Sequence, residues 1–335
     1  MALGQDKQAA QMKKGIPQDH QWSRASTVTS QKGGFETPRG IMAPPSFGEI
    51  LRTKQFTFLI GPEQTPIVVH AGAIASLSKP LDRLVNGGML EAQENVARFP
   101  ELQAQDFERI CEFSYCGNYT IPKPEQFSDE HVDALKQGRL LAAPISSYFE
   151  PSFDADSSDR PQVRKSSQQH SETIDSLDLS DPIALFRSIQ RIRHCAREWP
   201  HVPRKKQSWR ENFAPVLLAH ARLYAFAEQY LITRLKDEAL KNVIDTLSEY
   251  ALFASGLEAV THLARFTYDS NYIPDREEDG SIDPLRGVVA AFVVARYKYF
   301  SSCPGHRQLL KGQNEYAADV FDYVAIWFDP ERMSS

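Results

Sequence analysis

The 335-residue chain reads as an α+β protein: a small three-stranded sheet flanked by helices, broken by a long insert and continued by an α-helical C-terminal extension. Three observations predict this class. Strand-like runs are confined to residues 55–101, and two of them are separated by a Pro-containing turn. The other patterned stretches of 46–122, and almost everything from 214 onward, repeat apolar residues at helical spacing. Between these two blocks the pattern weakens over residues 123–213, and 143–181 is loaded with Ser, Asp, Gln and Pro.

Residues 1–45, rich in Gln, Ser, Thr, Gly and Lys, are expected to form a disordered arm. SFGEILRT (46–53) predicts a short helix with Ser46 as N-cap and Phe47, Ile50 and Leu51 on one face. QFTFLIG (55–61) alternates as a strand, Pro62 breaks it, and PIVVHAG (66–72) supplies the second strand of a hairpin. Ile74, Leu77, Leu81, Leu84 and Val85 predict a helix over 73–86, with Pro80 permitting a new helix start and Gly87-Gly88 stopping it. NVARFPE (95–101) is a third strand. DFERICEFSYCG (106–117) is an amphipathic helix burying Phe107, Ile110, Cys111 and Phe113 to Tyr115, and NYTIP (118–122) is a short extended segment ending on Pro122.

Within the insert, 123–213, short helices are expected from about 128 to 142 and over 182–198, the latter carrying Ile183, Phe186, Ile189 and Ile192. Residues 143–181 are expected to be disordered. Residues 214–230 and 232–247 predict an antiparallel helix pair joined almost without a loop, which completes the first block at about 248. The extension, 249–330, adds helices over 256–270, 283–300 and 315–328, with an acidic, solvated loop at 273–284. Tyr224, Phe226, Tyr230, Phe292, Tyr297, Phe300, Tyr323 and Trp327 read as helix-packing core. Leu217, Leu223, Phe226 and Leu231 are expected to meet Ile60, Val68 and Phe113 across the insert.

The chemistry-bearing residues point away from catalysis. A net charge of −5 gives no global attraction to nucleic acid or anionic membrane. Cys111, Cys116, Cys195 and Cys303 have no metal-ligand spacing and read as reduced thiols of a cytoplasmic or nuclear protein. No apolar run approaches the ~20 residues of a spanning helix, and no apolar leader opens the chain. Ser76-x-x-Lys79, with His70 nearby, has the spacing of a nucleophile pair on one helix, but nothing supplies an oxyanion site. Asp175, Asp178 and Asp181 lack the glycine and glutamate of a calcium loop. No cofactor or metal is expected. Arg204, Lys205, Lys206 and Arg210, with Arg191, Arg193, Arg197, Trp199 and Trp209 before and among them, read either as a solvated linker or as a nucleic-acid patch or import signal.

The order helix, hairpin, helix, strand, helix, extended segment resembles the BTB/POZ family. FTFLIG, VVHAGAIASLSKPLDRLVNGGMLEA, VARFPE and DFERICEFSYCGNYTIP carry the likeness, and LLAHARLYAFAEQYLITRLKDEALKNVIDTL resumes it past the insert. The stretch is similar to the fungal branch, in which a histidine ends the second strand and a VNGGM turn follows. The resemblance covers roughly 46–122 and 214–248. It implies a non-enzymatic protein–protein interaction module, acting by homotypic association or by docking a cullin-type ubiquitin-ligase scaffold. It also implies that His70 is a packing element between hairpin and helix. Family cullin docking maps here onto Phe99, Glu101, Phe107, Ile110 and Tyr115. No kelch, MATH, ankyrin or zinc-finger module accompanies it. The rival expectation is a nuclear DNA-associated regulator using 191–210 for phosphate contact.

Overall fold

The computed structural model describes residues 45–130, 210–249, 254–276 and 280–328. The expected arm, the helix at 182–198, most of that at 128–142, the disordered stretch 143–181 and Arg204, Lys205 and Lys206 lie outside the described residues.

Helix α1 (Phe47–Ile50) opens on a capping box: the Glu49 N–H donates to Ser46 Oγ, and the Ser46 N–H donates to Glu49 Oε2 at 2.7 Å. The Ser46 hydroxyl and N–H hold the Glu49 carboxyl below its ordinary pKa. A helix of four residues has room for one inward side chain. Only Ile50 is buried; Phe47 and Leu51 point outward, contrary to the single apolar face expected.

Strands β1 (Gln55–Ile60) and β2 (Thr65–His70) pair antiparallel, with Phe56 opposite Val69. They turn through 61–64, where Gly61 and Gln64 both adopt positive φ. Strand β3 (Val96–Phe99) returns parallel to β1, giving the order β2-β1-β3. One face of the sheet, built from Phe56, Phe58, Ile60, Val69 and Ala97, is buried in the core. Val68, expected in the core, lies on the other face and is exposed, because successive strand side chains alternate.

The β2 edge is blunted. The Ala71 N–H pairs inward to the Lys54 carbonyl at 2.9 Å, so by alternation the N–H positions of residues 66, 68 and 70 face away from β1. Pro66 has no N–H to offer, and the His70 N–H is taken by the Tyr115 hydroxyl at 3.0 Å. Strand-to-strand aggregation through this edge is thereby discouraged.

Between β2 and β3 the chain makes α2 (Ala71–Ala75), α3 (Lys79–Asn86) and α4 (Leu90–Glu94). The single helix expected over 73–86 is thus two: Ser78 caps α3 by accepting the Leu81 N–H, and Pro80 sits in its first turn. α4 has no counterpart in the sequence reading; it ends on Asn95 in the left-handed conformation that asparagine tolerates. Helix α5 (Ala104–Cys116) follows β3 and stops at Gly117 (φ 72°).

A two-residue ribbon, β4 (Glu125–Gln126) with β5 (Glu211–Asn212), joins the two ends of the insert. Beyond it come α6 (Ala214–Gln229) and α7 (Thr233–Glu249), the largest helix–helix contact among the described residues. The link between them is a Schellman turn. The Ile232 N–H donates to the Ala227 carbonyl at 2.8 Å and the Leu231 N–H to the Glu228 carbonyl at 3.3 Å, while Leu231 takes positive φ. That conformation throws Leu231 outward, 68% exposed, and overturns its expected core position.

The chain continues through α8 (Ala254–Asp269), α9 (Pro284–Ala295), α10 (Tyr297–Phe300), α11 (Pro304–Gly312) and α12 (Asn314–Phe328). The helix expected over 283–300 breaks at Arg296, which leaves Tyr297 exposed rather than buried; α11 was not anticipated. Among the described residues of the loop 273–284, residues 274–276, 280 and 281 are exposed as expected, while Ile273 and Asp283 are buried. Asp283 caps α9 and accepts the Tyr224 hydroxyl at 2.9 Å, and Arg286, fully buried, reaches Asp275 and Glu315 while lying over the Tyr268 ring. One continuous hydrophobic core runs from Phe56 through Phe107, Leu217 and Phe226 to Val289 and Tyr316. No helix among the described residues is long and apolar enough to cross a membrane.

Candidate functional site

The five residues mapped as a docking face do not share one exposed surface. Phe107 and Ile110 are completely buried. Phe107 packs tilted against Phe58, ring centroids 4.8 Å apart, so α5 turns these two side chains toward the sheet. Phe99 is half-buried among Phe58, Phe107, Phe226 and Tyr230, the last two supplied by α6. The helix pair that follows the insert therefore covers what a strand-and-helix reading of 96–116 leaves open. Glu101 is exposed and accepts the Tyr272 hydroxyl from the C-terminal extension at 3.2 Å.

Tyr115 belongs to a second locality. Its hydroxyl accepts the His70 N–H and lies 2.8 Å from His70 Nδ1. His70 thus fastens the end of β2 to α5. Ser76 is the C-cap of α2 and Lys79 the first residue of α3, so the two stand on different helices, both exposed. Phe47 lies edge-on to Tyr115 at 6.4 Å. One turn along, Leu51 is also exposed, so α1 offers two outward apolar side chains beside the His70–Tyr115 pair.

The links that close the molecule across the insert were not singled out from sequence. Asp106, in the first turn of α5, has a fully buried side chain. It accepts Arg222 Nε at 2.5 Å and Nη2 at 3.4 Å, and Arg109 Nη1 at 3.1 Å. Tyr119, from the segment after α5, pairs its hydroxyl with His220 Nδ1 at 2.8 Å inside the core. Burial, with a smaller push from Arg109, lowers the His220 pKa to about 4, and its Nε2 has no partner among the described residues. His306 repeats the pattern with Tyr316: Nδ1 lies 3.0 Å from the phenol, Nε2 has no partner among the described residues, and burial lowers the pKa to about 4. The signal for Arg222 and His220 was present, since each is a lone polar residue in the apolar run LLAHARLYAFA.

Cys111 is buried, and burial, reinforced by Glu108, pushes its thiol up to about 12, which makes it inert. Among the described residues no group of His, Cys, Asp and Glu could hold a metal ion. Arg210, the described member of the basic run, is exposed at the turn before β5. No family model matches the chain, and no curated protein or solved structure matches it.

Proposed function

We propose that residues 46–122 and 214–248 form a BTB/POZ-type protein-interaction module whose activity is association rather than catalysis, and that its first partner is a second copy of the same chain. The hairpin with a parallel third strand, the helices on one face of that sheet and the closing helix pair are consistent with the resemblance. The observation that carries homotypic association is the exposure of Phe47 (58%) and Leu51 (47%) on α1, braced from behind by Tyr115. Apolar side chains one helical turn apart suit the self-complementary patch of a two-fold interface.

Docking of a cullin-type scaffold is less well supported on this chain. Phe107 and Ile110 lie in the core, Phe99 is covered by α6, and Glu101 is already engaged by Tyr272.

Sedimentation of the full chain tests the reading. The wild type should show a reversible monomer–dimer equilibrium, and Phe47→Asp with Leu51→Asp should be monomeric with an unchanged thermal midpoint. A wild type that stays monomeric at every accessible concentration overturns homotypic association.

A further inference from the structure

A cavity of about 710 Å³ opens between α5, the 122–128 segment, the start of α6 and α8. That volume is in the range of small-molecule sites. Its charged and titratable lining consists of Arg109, Arg222, Lys123, His262, Glu125 and Glu258. These residues come from four separate elements, so the cavity exists only once the chain has closed across the insert.

The two guanidinium groups share one carboxylate, Asp106. Arg222 spends Nε and Nη2 on it, and Arg109 spends Nη1 on it and on the Gln105 carbonyl. Nη1 of Arg222, and Nε and Nη2 of Arg109, donate to nothing among the described residues. Two cations against one anion leave an unbalanced positive charge. The arginine side chains are only 24% and 17% exposed, so water screens that charge incompletely. Lys123 adds an exposed ammonium. Glu125 and Glu258 are exposed and make no ion pair among the described residues; full hydration weakens their repulsion toward a ligand on the arginines.

We propose that this cavity binds a small molecule through a compact oxyanion, a carboxylate or phosphate monoester held by the spare guanidinium donors of Arg109 and Arg222 with Lys123 alongside. Planar guanidinium forks match both headgroups, and the charge assistance makes each bond stronger than a neutral one. The hydrated carboxylates of Glu125 and Glu258 favour a ligand whose remainder is neutral or cationic. This proposal does not depend on the interaction reading above.

Titration calorimetry of the full chain at constant ionic strength, with inorganic phosphate and succinate as probes and chloride as control, tests it. Saturable binding of phosphate alone assigns the phosphate class, of succinate alone the carboxylate class, and of both the shared oxyanion chemistry. Arg109→Gln leaves the Asp106–Arg222 pair in place and should weaken binding about ten-fold, and Lys123→Ala about three-fold. Lys123 makes no bond within the fold among the described residues, so its variant reads the site even if Arg109→Gln is unstable. Absence of saturable binding of either probe, or affinity unchanged in Lys123→Ala and Lys123→Glu, overturns the proposal.

Discussion

Removing the Asp106 carboxylate should open the molecule at the seam between its two sequence blocks. Asp106 and Arg222 are 116 positions apart and belong to helices on opposite sides of the insert. Asp106→Ala leaves two guanidinium groups near a buried methyl, with the Arg222 donors unmet on the side facing α5. Breaking a fully buried pair from one side costs about 3–5 kcal/mol. Here the arginines keep some exposure, 24% and 17%, and line a cavity that can hydrate them, so the lower part of that range applies: about 3 kcal/mol. For a folded unit of roughly 150–250 residues this is a fall of about 6–12 °C in thermal midpoint. Urea unfolding of Asp106→Asn, Arg222→Gln and the double variant, followed by far-UV circular dichroism, isolates the pair. The coupling energy should be about 1.5–3 kcal/mol. A loss below about 1 kcal/mol in Asp106→Ala, or a coupling near zero, would refute the claim that this bond joins the halves.

Leu231→Gly should stabilise the protein by about 0.5–1 kcal/mol. A left-handed L-residue costs about 1–2 kcal/mol, of which glycine's greater unfolded freedom returns only part. Leu231→Ala should gain nothing, and a destabilised glycine variant would mean that the exposed leucine makes a contact worth more than its strain. Stability should fall on acidification. His220 and His306 are held near pKa 4 when folded against an ordinary value of 6.5, so the unfolded chain binds the protons first. The loss begins as pH drops below 6.5, reaches about 2 kcal/mol per histidine at pH 5, and is complete below about pH 4. Urea midpoints between pH 7 and pH 4.5 measure this; His220→Asn and His306→Asn should each flatten the profile, and parallel profiles would show that other groups carry the acid sensitivity.

Much of the secondary structure was legible because it is set by neighbours a few residues apart. The Ser46 cap, the alternation of QFTFLI, the amphipathic 106–117 helix and the long apolar helices after 214 all depend on spacing within one or two turns. The errors arose where a local pattern underdetermines direction. Phe47, Leu51, Val68, Leu231 and Tyr297 are apolar or aromatic and in register, yet a four-residue helix, an unpacked sheet face, a left-handed turn and a helix break send each outward. Phe107 and Ile110 lie in the core, as the amphipathic pattern of 106–117 predicts, because the sheet and α6 claim that side of α5.

What the sequence determined by itself is the mixed α+β class with its small three-stranded sheet and the order of most, though not all, of its elements, since hydrophobic period, caps and breakers act locally. Which surfaces are open, and which charges meet, was decided only by tertiary structure. Asp106 finds Arg222, Tyr119 finds His220 and Tyr272 finds Glu101 across separations of 116, 101 and 171 residues. No periodicity encodes such a meeting. It follows from the burial of shared apolar faces, which brings the polar groups together and makes leaving them unpaired too costly.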